Sequence, residues 1–332
     1  MVTQVAWIKT MSEGWRQGML MSIDRRFWSA DSFKPRVNPT MFIEILAVIA
    51  PVAIIALIGA VWRRLGQPFH TDMVSALVVN IGTPCLIISK LLAERLDVSA
   101  MAGIAVAAVG ITIAMAGGSL LALRILNLPP RVFLPAMMFP NAGNMGLPLC
   151  LFAFGDAGLA LAITYFTCNA LMQFSVGQSI ARGRIDVRTA VRDPVLWAVI
   201  LAIALLATGA HLPVWMTNAA EVLGGLVLPL MMLSLGTSLA SLKIADLPRS
   251  VVISVLRLIG GFAFALAAVT ILGLDGAARG VVLIQASMPP AVFNYMFALR
   301  YNNQPGEVAG VVLVSTLMSF ATLPLLLIFV LG

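Results

Sequence analysis

Apolar residues run along this chain in blocks of about twenty, the length an α-helix needs to cross the hydrocarbon core of a bilayer. Ten such blocks are legible, at approximately 42–62, 73–91, 100–123, 132–154, 157–180, 194–210, 214–239, 251–272, 277–299 and 308–331. They are continuous, with none of the one-in-two alternation of a membrane β-strand, so a β-barrel is excluded in favour of helices. The pattern predicts an all-α polytopic membrane protein with ten transmembrane helices. Composition agrees. Of 332 residues, 60% are hydrophobic and 11% charged, against about 25% charged in a soluble domain.

The polar residues between the blocks set an orientation. Arg182, Arg184, Arg188 and Arg192 crowd the connection after the fifth block. Arg63 and Arg64 follow the first, Arg124 and Arg131 flank the third connection, Lys243 and Arg249 the seventh, and Arg300 follows the ninth. By parity these connections share one face. The opposite loops hold Lys90, Arg95 and Arg279. The positive-inside rule makes the Arg-rich face cytoplasmic and, with ten crossings, both termini extracytoplasmic. The net charge of +7 therefore belongs to membrane loops and points to no nucleic acid. Residues 1–40 disturb the pattern, with Lys9, Arg16, Arg25, Arg26, Lys34 and Arg36 on the face that should be poor in positive charge. They have no secretory-signal pattern. They are expected to be a poorly ordered extension from an upstream start codon, with Met41 opening the first block. The alternative is a short amphipathic surface helix using Trp7, Trp15, Phe27 and Trp28.

The chain also repeats itself. Pro84-Cys-Leu-Ile-Ile-Ser89 matches Pro229-Leu-Met-Met-Leu-Ser234, and Leu171-Met-Gln-Phe174 matches Leu317-Met-Ser-Phe320. The proline cluster Phe139-Pro-Asn-Ala-Gly-Asn-Met-Gly-Leu-Pro-Leu149 of the fourth block corresponds to Ser287-Met-Pro-Pro-Ala-Val-Phe-Asn-Tyr295 of the ninth. From Pro84 to Pro140 is 56 residues and from Pro229 to Pro289 is 60. Three matches in one order at near-constant offset predict two copies of a five-helix unit. Five is odd, so the second copy enters from the opposite face, giving the inverted repeat common among secondary transporters. The expected organisation is an extension (1–40), a first repeat (41–180), a basic cytoplasmic loop (181–193) and a second repeat (194–332).

The proline clusters carry the candidate chemistry. Proline removes a backbone donor and clashes with the preceding turn, and glycine frees the chain to unwind. Pro140, Gly143, Gly146 and Pro148 are expected to break the fourth helix, and Pro289 and Pro290 the ninth. Irregular backbone survives in a membrane only inside protein or beside water. Each break creates a helix N-terminus with free N–H groups and partial positive charge, which suits an anion. Asn141, Asn144 and Asn294 add amides there. The expected binding set is Pro140, Asn141, Gly143, Asn144, Pro289, Pro290 and Asn294. Asn80, Thr83, Tyr165, Asn169 and Ser234 are candidates to line the cavity, the alternative for each being an ordinary interhelical hydrogen bond. Arg257, within the eighth block, either faces a cavity or partner, where it would neutralise or gate an anion, or snorkels to the cytoplasmic edge. Glu44 is read as interfacial, a proton-coupling role being its alternative.

Other chemistries lack their residues. Cys85, Cys150 and Cys168 stand singly in apolar runs and His70 and His211 fall at membrane edges, so free thiols and no metal are expected. No carboxylate lies near either break, which argues against a cation antiporter of that architecture. No P-loop, HExxH helix or paired intramembrane aspartate is present. Neither a cofactor nor enzymatic activity is expected.

The segments MFIEILAVIAP with GAVWRRLG, TPCLIIS, FPNAGNMGLPL, VLPLMMLSLGTSL and LIQASMPPAVFNYMFALRY together resemble the auxin efflux carrier family, some of whose bacterial members are regarded as malonate and malate permeases. The likeness runs from Met41 to the C-terminus. It implies ten helices in two inverted repeats, related in architecture to NhaA and the bile-acid symporters, with broken helices four and nine crossing. It implies a scaffold of spans one, two, six and seven, a moving set of the others, and elevator-like motion. By that likeness a substrate carboxylate would touch Pro140, Asn141, Pro289, Pro290 and Asn294. The short 181–193 loop differs from the long loop of the plant carriers, and their charged pair in the third span is absent, which leaves indole acetate and the coupling mechanism open. The expectation is a secondary transporter of a small organic anion in the inner membrane, compatible with proton coupling and a homodimer. Its alternatives are a sodium-coupled bile-acid-type symporter and a membrane sensor that binds without transporting.

Overall fold

The computed structural model describes residues 39–94, 98–183, 194–208 and 212–331. The extension expected over 1–40, apart from its last residues, and most of the 181–193 loop lie outside them, as does the Glu44 side chain. Among the described residues every regular element is helical. Helix α1 is Pro39–Arg64. The second apolar block folds as α2 (Thr71–Leu77), a π turn (Val78–Gly82) and α3 (Thr83–Glu94). Helix α4 is Val98–Ile125 and α5 is Pro130–Met138. A π turn at Ala142–Gly146 leads into α6 (Leu147–Met172), followed by a π turn at Gln173–Gly177 and α7 (Gln178–Arg182). The second half comprises α8 (Pro194–Thr208), α9 (Val214–Gly225), α10 (Val227–Ser241), α11 (Leu247–Leu272), α12 (Gly276–Ala286), α13 (Val292–Arg300) and α14 (Pro305–Leu331).

Among the described residues, seven stretches are long and apolar enough to cross a bilayer, fewer than the ten blocks of the sequence. The difference falls where the backbone is interrupted or short. The fourth block is divided between α5 and the start of α6, and the ninth between α12 and α13, neither half of which is long enough alone. The sixth, α8, has 15 described residues. One of the seven, Ala142–Arg182, is interrupted by a kink: Gly155 has φ 68° and ψ −160°, a conformation open to glycine alone. It stands between the fourth and fifth blocks, where the sequence placed a boundary.

The helices pack as two groups. One holds α1, α2–α3, α8 and α9–α10; the other holds α4 to α7 (with the π turns between them) and α11 to α14. Within the first, α1 and α10 lie backbone to backbone. A Cβ added to Gly236 would fall on the Ala56 carbonyl oxygen, and one added to Gly59 on that of Leu233. Gly224 meets α3 in the same way, with Leu86 Cα 2.8 Å from where its Cβ would be. Small residues are what let membrane helices approach so closely. Outward, large apolar side chains such as Ile54, Leu57, Ile113, Leu121 and Leu325 are exposed, a surface suited to lipid and costly in water.

The α1–α10 contact has no room for a methyl group, because the opposing atoms are backbone. Gly236→Ala is therefore expected to destabilise the fold by about 1–3 kcal/mol, the range for overpacking. Gly117→Ala, where nothing lies within 4 Å, should leave stability unchanged or slightly raised. Thermal unfolding of the two variants in detergent compares them directly.

Candidate functional site

The two proline clusters meet. Helix α5 ends at Met138, and Phe139 turns extended (φ −102°, ψ 109°). Helix α12 ends at Ala286, and the chain runs through Ser287–Ala291 before α13 begins. The two extended segments pass antiparallel, with Pro140 opposite Pro290. Asn141 N–H donates to the Pro289 carbonyl (2.7 Å), and Ala291 N–H donates to the Phe139 carbonyl (3.1 Å). Proline has no N–H, so in each strand the residue after the central proline supplies the donor. The Phe139 and Pro289 carbonyls, left beyond the ends of the broken helices, are thus each satisfied by an N–H of the opposite strand.

The side chains at this crossing are not symmetric. Asn144 and Asn294 stand four residues after Pro140 and Pro290 respectively. The Asn294 carboxamide is engaged on both sides: Nδ2 donates to the Phe139 carbonyl (3.2 Å), and Oδ1 accepts from Gln173 Nε2 (3.1 Å). Gln173 belongs to Leu171-Met-Gln-Phe174. The matching position in Leu317-Met-Ser-Phe320 is Ser319, whose hydroxyl is spent on Thr316 of its own helix (2.7 Å). Asn144 has no such partner. Its N–H is capped by Asn141 Oδ1 (3.3 Å), and its side chain borders a cleft of about 30 Å³. Asn141 is buried, and its Nδ2 finds no acceptor.

The cleft lies where the two helix groups meet. Asn144, Val292, Phe293 and Met296 line it from the crossing, and Ser75, Met231 and Ser234 from α2 and α10. The first N–H groups after each break, those of Ala142 and Gly143 and of Val292 and Phe293, have no acceptor among the described residues. Val292 and Phe293 bring free donors and the positive end of a helix dipole to the cleft, whereas the other helix start reaches it through Asn144, Ala142 and Gly143 being buried behind it. Gly143 makes this approach feasible, since a Cβ there would press on Phe166 and Met231 at 3.0 and 3.1 Å.

The remaining expected residues divide. Ser234 lines the cleft. Thr83, Tyr165 and Asn169 are buried but lie outside its lining. Asn80 lies outside the lining of this cleft: its side chain is exposed, and Nδ2 donates to the Ala76 carbonyl of its own turn (2.8 Å). Arg257 is 1% exposed, buried inside the protein. Its Nη2 donates to the Ala286 carbonyl at the end of α12 (3.0 Å), while Nε and Nη1 have no acceptor.

The family model described as "Membrane transport protein" matches residues 41–185 and 178–327. The chain belongs to this family, that of the auxin efflux carriers. An uncharacterized transporter of Methanothermobacter thermautotrophicus is 28% identical over 86% of this chain and 98% of its own length. Another, of Methanocaldococcus jannaschii, is 25% identical over 84% and 96%. The family places the protein among multi-pass membrane transport proteins.

In this member of the family two residues at the crossing escaped the sequence reading. Gln173 locks Asn294, and Gln285, fully buried, packs its carboxamide against Gly146 with neither polar atom paired. Both sit in quoted motifs, and the only signal was one amide in an apolar run. If Gln173 and Asn294 act as a pair, Gln173→Ala and Asn294→Ala should not add. The double variant is expected to be more stable than the sum of singles predicts by about 0.5–3 kcal/mol, the range for directly bonded side chains, measured by unfolding in detergent.

Proposed function

We propose that the protein is a secondary transporter of small organic anions, with the carboxylate bound where the two broken helices cross. The observation that carries this reading is the cleft at the crossing, lined by Val292 and Phe293 at a helix start with unpaired N–H groups and by Asn144 of the other helix start, with Ser234 beside them. Such a site attracts an anion without a fixed cation in contact with it, and dipolar contacts let the ligand leave again.

The ten-crossing, inverted-repeat architecture belongs to this proposal. Contacts at the helix ends support it. Arg131 donates to the carbonyls of Ala181 (3.1 Å) and Arg182 (3.0 Å), and Asn303 Nδ2 donates to the Arg131 carbonyl (2.7 Å). The connections after the third, fifth and ninth blocks thus gather at one end, as parity requires of a cytoplasmic face. Lys90 and Asp156, from connections of the other parity, pair at 2.6 Å. In this reading the group around α1 and α10 is the scaffold and the group carrying the crossing moves against it in the inner membrane, exposing the cleft alternately to each side. Met231 and Met296 line that boundary, and methionine repacks readily as surfaces slide.

Counterflow in proteoliposomes tests the proposal: labelled malonate outside should exchange for unlabelled malonate inside. Uptake should persist when choline replaces sodium; strict sodium dependence would favour the bile-acid-type symporter. Asn144→Ala should weaken half-saturation at least about tenfold, the loss expected from about 1.4 kcal/mol of binding, with folding unchanged. Thermal stabilisation by an organic acid without counterflow would make the protein a sensor and end the transport reading.

A further inference from the structure

Arg257 is the one charged side chain that is buried among the described residues. It is built in. A Cβ on Gly261 would come 2.6 Å from Nη1 and would also strike the Ala286 carbonyl, so the bare glycine makes the slot in which the guanidinium lies. No described carboxylate answers it. Asp246 and Glu307 are held by Arg249 at the start of α11, and Asp156 by Lys90, while Asp72, Glu221 and Asp275 are exposed. The nearest titratable neighbour is the buried Tyr165, within electrostatic reach. Taking a guanidinium out of water is costly unless something offsets its charge, and arginine stays protonated. One carbonyl and the negative end of the α12 dipole are a partial offset. The chain from Ala286 runs straight into the crossing, and α11 packs on α4, α5, α12 and α14, all in the group proposed to move.

We propose that Arg257 is the fixed counter-charge of the carrier, and that the species it moves carries one net negative charge: a monocarboxylate, or a dicarboxylate with one proton aboard. This rests on the transport reading above. With one negative charge at the crossing the charge buried in the moving group sums to zero, so loading leaves no uncompensated buried charge to carry through the membrane field. A dianion would leave one buried negative charge. For a dicarboxylate, the proton then travels on the substrate, and coupling needs no titrating side chain of the protein.

The test is counterflow with substrate saturating on both sides of the proteoliposome, under potassium–valinomycin potentials of either sign. One uncompensated charge crossing about 100 mV shifts the populations of the two faces by about fiftyfold. Wild-type exchange of labelled malonate or a labelled monocarboxylate should change less than about twofold with potential, whereas Arg257→Gln should slow severalfold under potential of either sign. Arg257→Lys, which keeps the charge, should behave as wild type, and malonate uptake should rise as pH falls through its second carboxyl. Wild-type exchange that slows severalfold with potential, or Arg257→Gln exchange that is indifferent to it, overturns the assignment. A merely structural Arg257 would alter stability or total flux in its variants without altering voltage dependence. Should Arg257→Gln fail to fold, the wild-type and Arg257→Lys voltage responses still decide. Absence of counterflow for every acid tried removes the transport reading, a result distinct from counterflow with the wrong charge.

Discussion

A backbone carbonyl or N–H without a partner costs several kcal/mol in hydrocarbon, and the centre of this protein is organised around that penalty. Two helices are stopped by proline in mid-span. Each stop strands carbonyls behind it and N–H groups ahead of it. The carbonyls are the more easily dealt with: Phe139 and Pro289 each accept from the opposite strand, across an antiparallel pair only a few residues long. What remains is a surplus of donors at the two helix starts, of which those of Val292 and Phe293 border the cleft.

The pairing is two-fold, but the sequence is not. One asparagine, Asn294, is clamped between Gln173 and the Phe139 carbonyl and acts as part of the frame. Asn144, four residues after the other central proline, lines the cleft instead. A second asymmetry is electrical. The α12 end carries a buried guanidinium at Ala286, whereas the α5 end is met by neutral amides at Phe139. In the proposed inverted repeat, the half carrying Asn294 stiffens the crossing and the half carrying Asn144 is the one offered to the ligand.

Much of this was legible in the sequence, for identifiable reasons. Proline and glycine act locally, so FPNAGNMGLPL and SMPPAVFNY announce breaks whatever surrounds them, and their similar placement in the two halves predicts that they meet. The boundary near Gly155 was legible in the same way. Side-chain direction was not. Asn80 looks like a cavity residue in a linear chain, but the helix turns it outward, and it bonds to its own backbone instead. The π turns at 78–82 and 173–177 have ordinary apolar sequences, and nothing in VVNIG or QFSVG marks a widened turn. Arg257 was open between the membrane edge and the interior, because its depth depends on the glycine slot at Gly261, a contact four residues along the same helix and shared with α12. Gln173 and Gln285 each read as one more amide in an oily run until their neighbours were known.

The rigidity of the rest makes sense against this centre. Where α1 meets α10 the contact is glycine against carbonyl, which tolerates no sliding, since any shift brings backbone onto backbone. The cleft between the two helix groups is walled instead by Met231, Met296 and Phe293, side chains that can change rotamer without breaking a hydrogen bond. Relative motion is therefore easiest along that boundary, and it carries the crossing with it as a unit, because the Asn141–Pro289 and Ala291–Phe139 bonds tie both breaks together. In the proposed transport reading, a site whose two halves are tied together in this way would move with its ligand rather than open around it, as a sliding carrier does and a clamp does not.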